Sequence, residues 1–397
     1  MRKKLVVLGL ILSTLLLFTT GTAGTFAAEA APDKQINLES FNSRAAYLID
    51  YDTGKVLYER NPDERYPIAS MVKIMTLNIA FDEIAAGRLA LDQMIAISDT
   101  AAGMGGSQMF LDAGKEYSVS DLIKGITVVS ANDASVAIAE TIAGSKEAFI
   151  DMMNERAAAM GLENTKFVNV TGLPESGQYS TARDVTAMMR KLLGNPDYFK
   201  YSTIYMENYT HPGGRISELV NTNKLVRFYK GCDGGKTGFT NDAMYCLSAT
   251  AKRGDTRVIA TVLGAESSKS RNNEISTLFN YAFHNYKTVK LLEKGKAFPA
   301  EIKVEGAKDV TVELAADRDL TALEKRGEKR AYELRFVADD GLKAPIARGS
   351  VIGKVELIDK NSGEVYGCAG IITLNDIEKR SLLDGIGSIF DNWFFGI

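Results

Sequence analysis

Tyr66-Pro67-Ile68-Ala69-Ser70-Met71-Val72-Lys73-Ile74-Met75-Thr76-Leu77-Asn78-Ile79-Ala80-Phe81 is a sixteen-residue stretch with a single charge, Lys73. Apolar residues surround that charge at almost every helical angle, the pattern of a helix buried on all sides. Pro67 marks a start and Gly87 a stop. Ser70 then falls in the first turn, with Lys73 one turn later on the same face. A lysine buried in this way is costly unless it is paired or neutral. The plainer reading is a core helix whose lysine snorkels to solvent, and the helix alone does not choose between the two.

Working outward, the residues before this helix read as a hairpin. Ala45–Asp50 and Lys55–Glu59 flank the turn Tyr51-Asp52-Thr53-Gly54. After it come a Gly-rich loop (residues 102–107), a helix opening at Val119-Ser120-Asp121-Leu122, and a second helix from Ala134 to Ile142 closed by Gly144. Thr181-Ala182-Arg183-Asp184 resembles a capping box for a helix ended by Gly194 and Pro196. Residues 200–230 read as polar and loop-like. GGKTGFT, AMYCLSATAK and RVIATVLGA then form three short β runs, an antiparallel meander, and a helix follows from about Asn272 to Tyr286. The expected fold is α/β (α+β), a five-stranded antiparallel sheet with helices packed on it.

Composition bounds the remainder. The chain has 397 residues, 45% hydrophobic and 24% charged, enough for two or three domains. Arg2-Lys3-Lys4, the apolar run Leu5–Phe18 and the small residues after it read as a secretory signal peptide, residues 1–27, cut near Ala27 or Ala30. Its loss leaves 44 Lys+Arg against 50 Asp+Glu, so no nucleic-acid partner is expected. Cys232, Cys246 and Cys368 are too few and too scattered for a disulfide framework. His211 and His284 lie far apart, so neither a metal site nor any other cofactor is expected. Residues 32–290 read as one domain and 298–375, with alternating apolar and charged residues, as a small all-β domain. From 376 to 397, Leu382, Leu383, Ile386, Ile389, Phe390, Trp393 and Phe394 share one helical face. That spacing suits a helix lying on a membrane surface, against the alternative of a helix docked on the β domain.

Three short motifs stand in order: Ser70-x-x-Lys73, Ser130-x-Asn132 and Lys236-Thr237-Gly238. Each is weak alone, and the three together, in an exported chain, match the signature of penicillin-recognising serine enzymes. Gly105-Gly106-Ser107-Gln108-Met109-Phe110-Leu111, Thr171-Gly172-Leu173 and Gly177–Asp184 extend the likeness, as do the β domain and amphipathic tail. The chain resembles the low-molecular-mass penicillin-binding proteins, specifically the D-alanyl-D-alanine carboxypeptidases. Ala131, where Gly is common, and Phe239, where His occurs in some relatives, depart from the pattern without removing a reacting group.

The resemblance implies a serine-type D-Ala-D-Ala carboxypeptidase on the outer face of the cytoplasmic membrane. It would remove the terminal D-alanine from peptidoglycan stem pentapeptides and be inhibited covalently by β-lactam antibiotics. Acyl transfer assigns Ser70 as nucleophile, Lys73 as its base and Ser130 as proton relay. Asn132 would hold the substrate's peptide backbone, and the N–H groups of Ser70 and Phe239 the oxyanion. Lys236, Thr237, Gly238 and Arg271 complete the substrate site, with Arg271 the candidate for the terminal carboxylate. A peptidoglycan endopeptidase would use the same residues. A β-lactamase-like hydrolase would need a carboxylate for the deacylating water, and no ExxxN-like element stands between the second and third motifs. A Ser-His-Asp hydrolase lacks a GxSxG elbow here, and a catalytically silent wall-binding module would have no reason to keep every reacting side chain.

Overall fold

The computed structural model describes residues 38–380 except 301, 309–311 and 329. The signal segment and residues 381–397 of the tail lie outside these. The hairpin and the meander join in one five-stranded antiparallel sheet. Its order is Val56–Arg60, Ala45–Asp50, Thr256–Ala265, Met244–Arg253, Cys232–Thr240. Every residue of Ala45–Asp50 is buried because both faces of the sheet are covered. Ala45, Tyr47 and Ile49 join one apolar cluster, while Ala46 and Leu48 join the other. The first cluster is shared with helices from the 61–231 insertion. The second is closed by the helix Ser268–Asn285 through Ile275, Leu278, Phe279 and Ala282.

The central helix runs Lys73–Ala85, and Lys73 through Phe81 are all buried. Ser70 is not in its first α-turn, as expected from sequence, but in a 3-10 turn, Ala69–Val72, leading into it. Ala69 has φ 47°, a conformation unusual for alanine. The tighter turn carries the chain from the extended Pro67 segment into the helix. Val119–Val128 is capped by Ser118, and Ala182–Leu193 by Thr181. Asn132–Ala143 starts directly after Ser130-Ala131 and ends at Gly144 in the left-handed region.

Further expectations are corrected. Residues 200–230 are not simply loop: Met206–Thr210 and Ile216–Val220 form a hairpin, followed by the short helix Leu225–Phe228. Each of those strands buries only one side chain, Tyr209 or Leu219, so its apolar alternation is faint. The last helix of the sheet domain begins at Ser268 with Ser267 as its cap, which puts Arg271 in its first turn. A helix not foreseen, Lys146–Ala159, buries Phe149, Met153 and Ala157 at four-residue spacing.

The sheet domain passes without a linker into the strand Tyr286–Leu292, which pairs with Leu320–Lys325. A four-stranded sheet follows, in the order Leu314–Ala316, Val365–Thr373, Val351–Asp359, Tyr332–Ala338. It has its own core of Leu314, Leu320, Ile352, Val355, Leu357 and Ile371. Asp376–Arg380, expected to open the amphipathic helix, is extended here. It bridges Ile346 through Ile377 and Ala307 through Lys379, and the Ile377 side chain is buried. Cys232 and Cys246 are free and buried; the register sets Cys246 against Gly238 and Cys232 against Ala251.

Candidate active site

The three motifs come from separate elements and meet in one groove of about 360 Å³. Its lining includes Ser70, Ser130, Thr237, Gly238, Phe239 and Arg271. The 3-10 turn delivers Ser70, the loop before Asn132–Ala143 delivers Ser130, and the edge strand Cys232–Thr240 delivers the whole third motif. Gly238 is required by close approach: a Cβ there would lie 2.6 Å from the Ile68 carbonyl oxygen.

Lys73 does not snorkel. It is fully buried, and its Nζ lies 3.1 Å from Ser70 Oγ while also donating to the Thr171 carbonyl. Burial holds this amine well below the usual lysine range, the positive charge of Lys236 pushes it further down, and Asp133 opposes both. Asp133 itself accepts from the N–H groups of Met109, Leu111 and Ala134, which binds the Gly-rich loop to the helix start.

Lys236 is the second buried amine. It donates to Ser130 Oγ at 2.7 Å and to the Thr237 carbonyl at 2.9 Å. Burial first, and Arg271 second, lower its pKa to about 7. Ser130 reaches it from a backbone with φ 64°. Arg271 is buried along the groove, forks two donors onto Asn272 Oδ1, and is brought by burial down to about 10. It therefore stays charged at neutral pH. Thr237 donates its hydroxyl to Thr222 at 2.8 Å.

Asn132 donates from Nδ2 to the Gly105 carbonyl at 2.6 Å, and its backbone N–H donates to Ser107. Its Oδ1 is buried without a partner in the protein. Phe239 exposes 51% of its surface and stacks on Tyr245 with ring centroids 4.4 Å apart. The structure thus gathers Ser70, Lys73, Ser130, Asn132, Lys236, Thr237, Gly238, Phe239 and Arg271 at one place. Sequence reasoning passed over Ser107, Thr222, Lys224, Tyr245, Ser268 and Asn272, which also line the groove. The Ser107 loop sat inside a quoted motif, and Ser268 lies three residues before Arg271. Thr222 and Lys224 lay in a stretch read as loop. His211 sits on the hairpin between Tyr117 and Ser217, outside the groove lining.

A serine hydroxyl beside a depressed amine, facing a second serine–lysine pair, defines a serine hydrolase of the peptidase class. The chain belongs to the D-alanyl-D-alanine carboxypeptidase family, whose pattern matches residues 28–267. Residues 286–379 match the C-terminal domain of penicillin-binding protein 5. The D-alanyl-D-alanine carboxypeptidase DacF of Bacillus subtilis is 37% identical over 387 residues, covering 96% of this chain and 98% of the relative. DacA of Escherichia coli is 33% identical, covering 91% and 89%. Among solved structures, penicillin binding protein 5 from Haemophilus influenzae is 33% identical with a TM-score of 0.67, covering 85% of this chain and 98% of that one.

Proposed function

We propose that this protein is a serine-type D-Ala-D-Ala carboxypeptidase that removes the terminal D-alanine from peptidoglycan stem pentapeptides and is acylated by β-lactams. The observation that carries the reading is the 3.1 Å contact between Ser70, which lines the groove, and the fully buried Lys73. Lys73, its hold on a proton weakened by burial and by Lys236, takes the Ser70 proton as Oγ attacks the carbonyl of the penultimate D-alanine. Negative charge gathers on the carbonyl oxygen, where the N–H groups of Ser70 and Phe239 receive it. As the C–N bond breaks, Ser130 gives its proton to the departing amine, and the two lysines restore it. Water, deprotonated by Lys73, then attacks the acyl carbonyl, and as the bond to Ser70 Oγ breaks Lys73 returns that proton to Ser70.

In this reading Arg271 and the Thr237 hydroxyl, which line the groove, receive the substrate's terminal carboxylate, with the charge of the buried Lys236 behind them. The unpartnered Asn132 Oδ1 is an acceptor for a substrate backbone N–H. Carboxypeptidase is favoured over endopeptidase because the carboxypeptidase relatives cover both domains. The D-alanyl-D-alanine endopeptidase of Pseudomonas aeruginosa covers only 60% of this chain. In this reading residues 32–290 hold the catalytic site, 298–375 the β module, and residues 381–397 an amphipathic anchor to the outer membrane face. No helix among the described residues is long and apolar enough to cross a membrane.

Incubation with a fluorescent penicillin should label the wild type covalently and leave Ser70→Ala unlabelled, and a pentapeptide ending in D-Ala-D-Ala should lose one D-alanine. No label and no D-alanine release would remove the assignment. Truncation after Arg380, which spares the buried Ile377, should yield an active enzyme that no longer pellets with membranes. Continued pelleting would remove the anchor.

A further inference from the structure

The Thr171-Gly172-Leu173 loop is not part of the three motifs, yet it touches the reacting amine. Gly172 has φ 80°, and a Cβ there would lie 2.1 Å from the Ala69 carbonyl oxygen. The loop backbone is therefore pressed against the turn that carries Ser70. The Thr171 carbonyl, which accepts from Lys73, and the Gly172 N–H belong to one peptide plane. On the far side of that plane Asn169 Oδ1 accepts from the Gly172 N–H at 2.7 Å and from the Thr171 N–H at 3.2 Å. Its Nδ2 donates to the Leu173 carbonyl at 3.0 Å and to Glu175 at 2.9 Å. One amide thus grips the chain before and after the carbonyl.

Because N–H and C=O point in opposite directions across a trans peptide, holding the N–H aims the carbonyl. Donation by the N–H also polarises the carbonyl and strengthens it as an acceptor. Behind the loop lies a cavity of about 260 Å³ lined by Val136, Ile150, Val168, Asn169 and Thr171, so a released peptide has room to swing.

We propose that Asn169 is a positioning residue that, through the Thr171–Gly172 peptide, aims a carbonyl at Lys73 and so sets how firmly that amine holds its proton. The inference rests on Lys73 acting as the base of the carboxypeptidase reaction. The charged groups facing Lys73 are Lys236 from the edge strand and Asp133 from the neighbouring helix, with the Ser70 hydroxyl in contact. A carbonyl acceptor favours the protonated amine and partly offsets Lys236. Asn169 sits on the other side of this balance, outside the groove lining.

The test is the pH profile of acylation by a fluorescent penicillin, with thermal unfolding followed in parallel. Asn169→Ala should move the acid limb to lower pH and reduce the plateau about tenfold, because a weaker base accepts the Ser70 proton. Asn169→Asp, in a Glu175→Gln background so that no two carboxylates meet, keeps an acceptor for the Gly172 N–H and adds negative charge. It should move the acid limb to higher pH. Opposite shifts support the proposal; unshifted limbs, or shifts of one sign, overturn it whatever happens to the plateau. If the Ala variant does not fold, the near-isosteric Asn169→Leu, which also lacks an acceptor for the Gly172 N–H, takes its place in the comparison. A wild type that takes no penicillin sinks the carboxypeptidase reading and the proposal together, whereas a normal wild type with unshifted variants removes the proposal only.

Discussion

The exposed cations of the β module and of the strand Tyr286–Leu292 that leads into it are handled in the opposite way to those of the groove. Lys287, Lys290 and Arg335 meet carboxylates at 2.6–2.8 Å, and their side chains reach water. Lys73, Lys236 and Arg271 are 0%, 1% and 5% exposed. Their hydrogen-bond partners are hydroxyls, carbonyls and an amide. Surface pairs contribute little to stability. Buried cations met only by neutral dipoles lose proton affinity, and the groove is left with positive charge that an anionic substrate can complete. Cost to the fold and use to the reaction coincide in the groove and nowhere in the exposed pairs.

The sharpest way to break this contrast is Lys73→Met, which keeps the length of the side chain and removes the amine. Acylation by penicillin should fall by about 10²–10⁴-fold, the usual worth of a general base. The melting temperature at neutral pH should not fall, since a thioether needs no desolvation. Near-wild-type acylation would return Lys73 to the status of a packing residue. Lys73→Arg should be equally inactive, because a guanidinium does not deprotonate at any working pH.

Next in size is Arg271→Ala. A peptide ending in D-Ala-D-Ala should lose about 1.5–3 kcal/mol of transition-state binding, the worth of a charge-assisted bond. The same peptide with an amidated terminus should lose far less. Equal losses on the two substrates would show that Arg271 does not read the carboxylate.

A smaller effect is expected from pH. Lys236, at about 7 in the free protein, passes from charged to neutral as pH rises. The kcat/KM for the peptide should therefore drop about fivefold between pH 7 and 8, since that ratio reports the free enzyme. A flat profile there would mean that Lys236 works equally well uncharged. For stability the sign runs the other way. Both lysines are lowered on folding, so the unfolded chain binds more protons, and stability rises with pH up to the unfolded lysine value near ~10.4. The smallest effect belongs to the strand leading into the β module: Lys290→Ala should change stability by less than about 1 kcal/mol and leave turnover unchanged. A larger loss would show that its pair with Asp319 does more than solvate the surface.

Much of the site was legible because it is written in short spacings. Ser70 and Lys73 are one turn apart, so even a 3-10 turn in place of the expected α-turn keeps their atoms in contact. The meander and first hairpin were legible from period-two runs between turn residues. The 206–220 hairpin was not, since each strand buries one side chain and leaves no periodic stripe. Asp376–Arg380 was misread as helical because a β-bridge to residues 307 and 346 has no local signature.

By itself the sequence determined which reacting groups exist, their order along the chain, and the local contacts that helical spacing imposes. It did not determine whether Lys73 reaches water. That outcome depends on the Thr171 carbonyl, 98 residues further on, and on Lys236, which comes to Ser130 across 106 residues. Only the closed tertiary structure excludes solvent from these groups together. Exclusion of solvent lowers the proton affinity of two ordinary lysines, because the proton affinity of an amine depends on what surrounds it, and local spacing does not specify those surroundings.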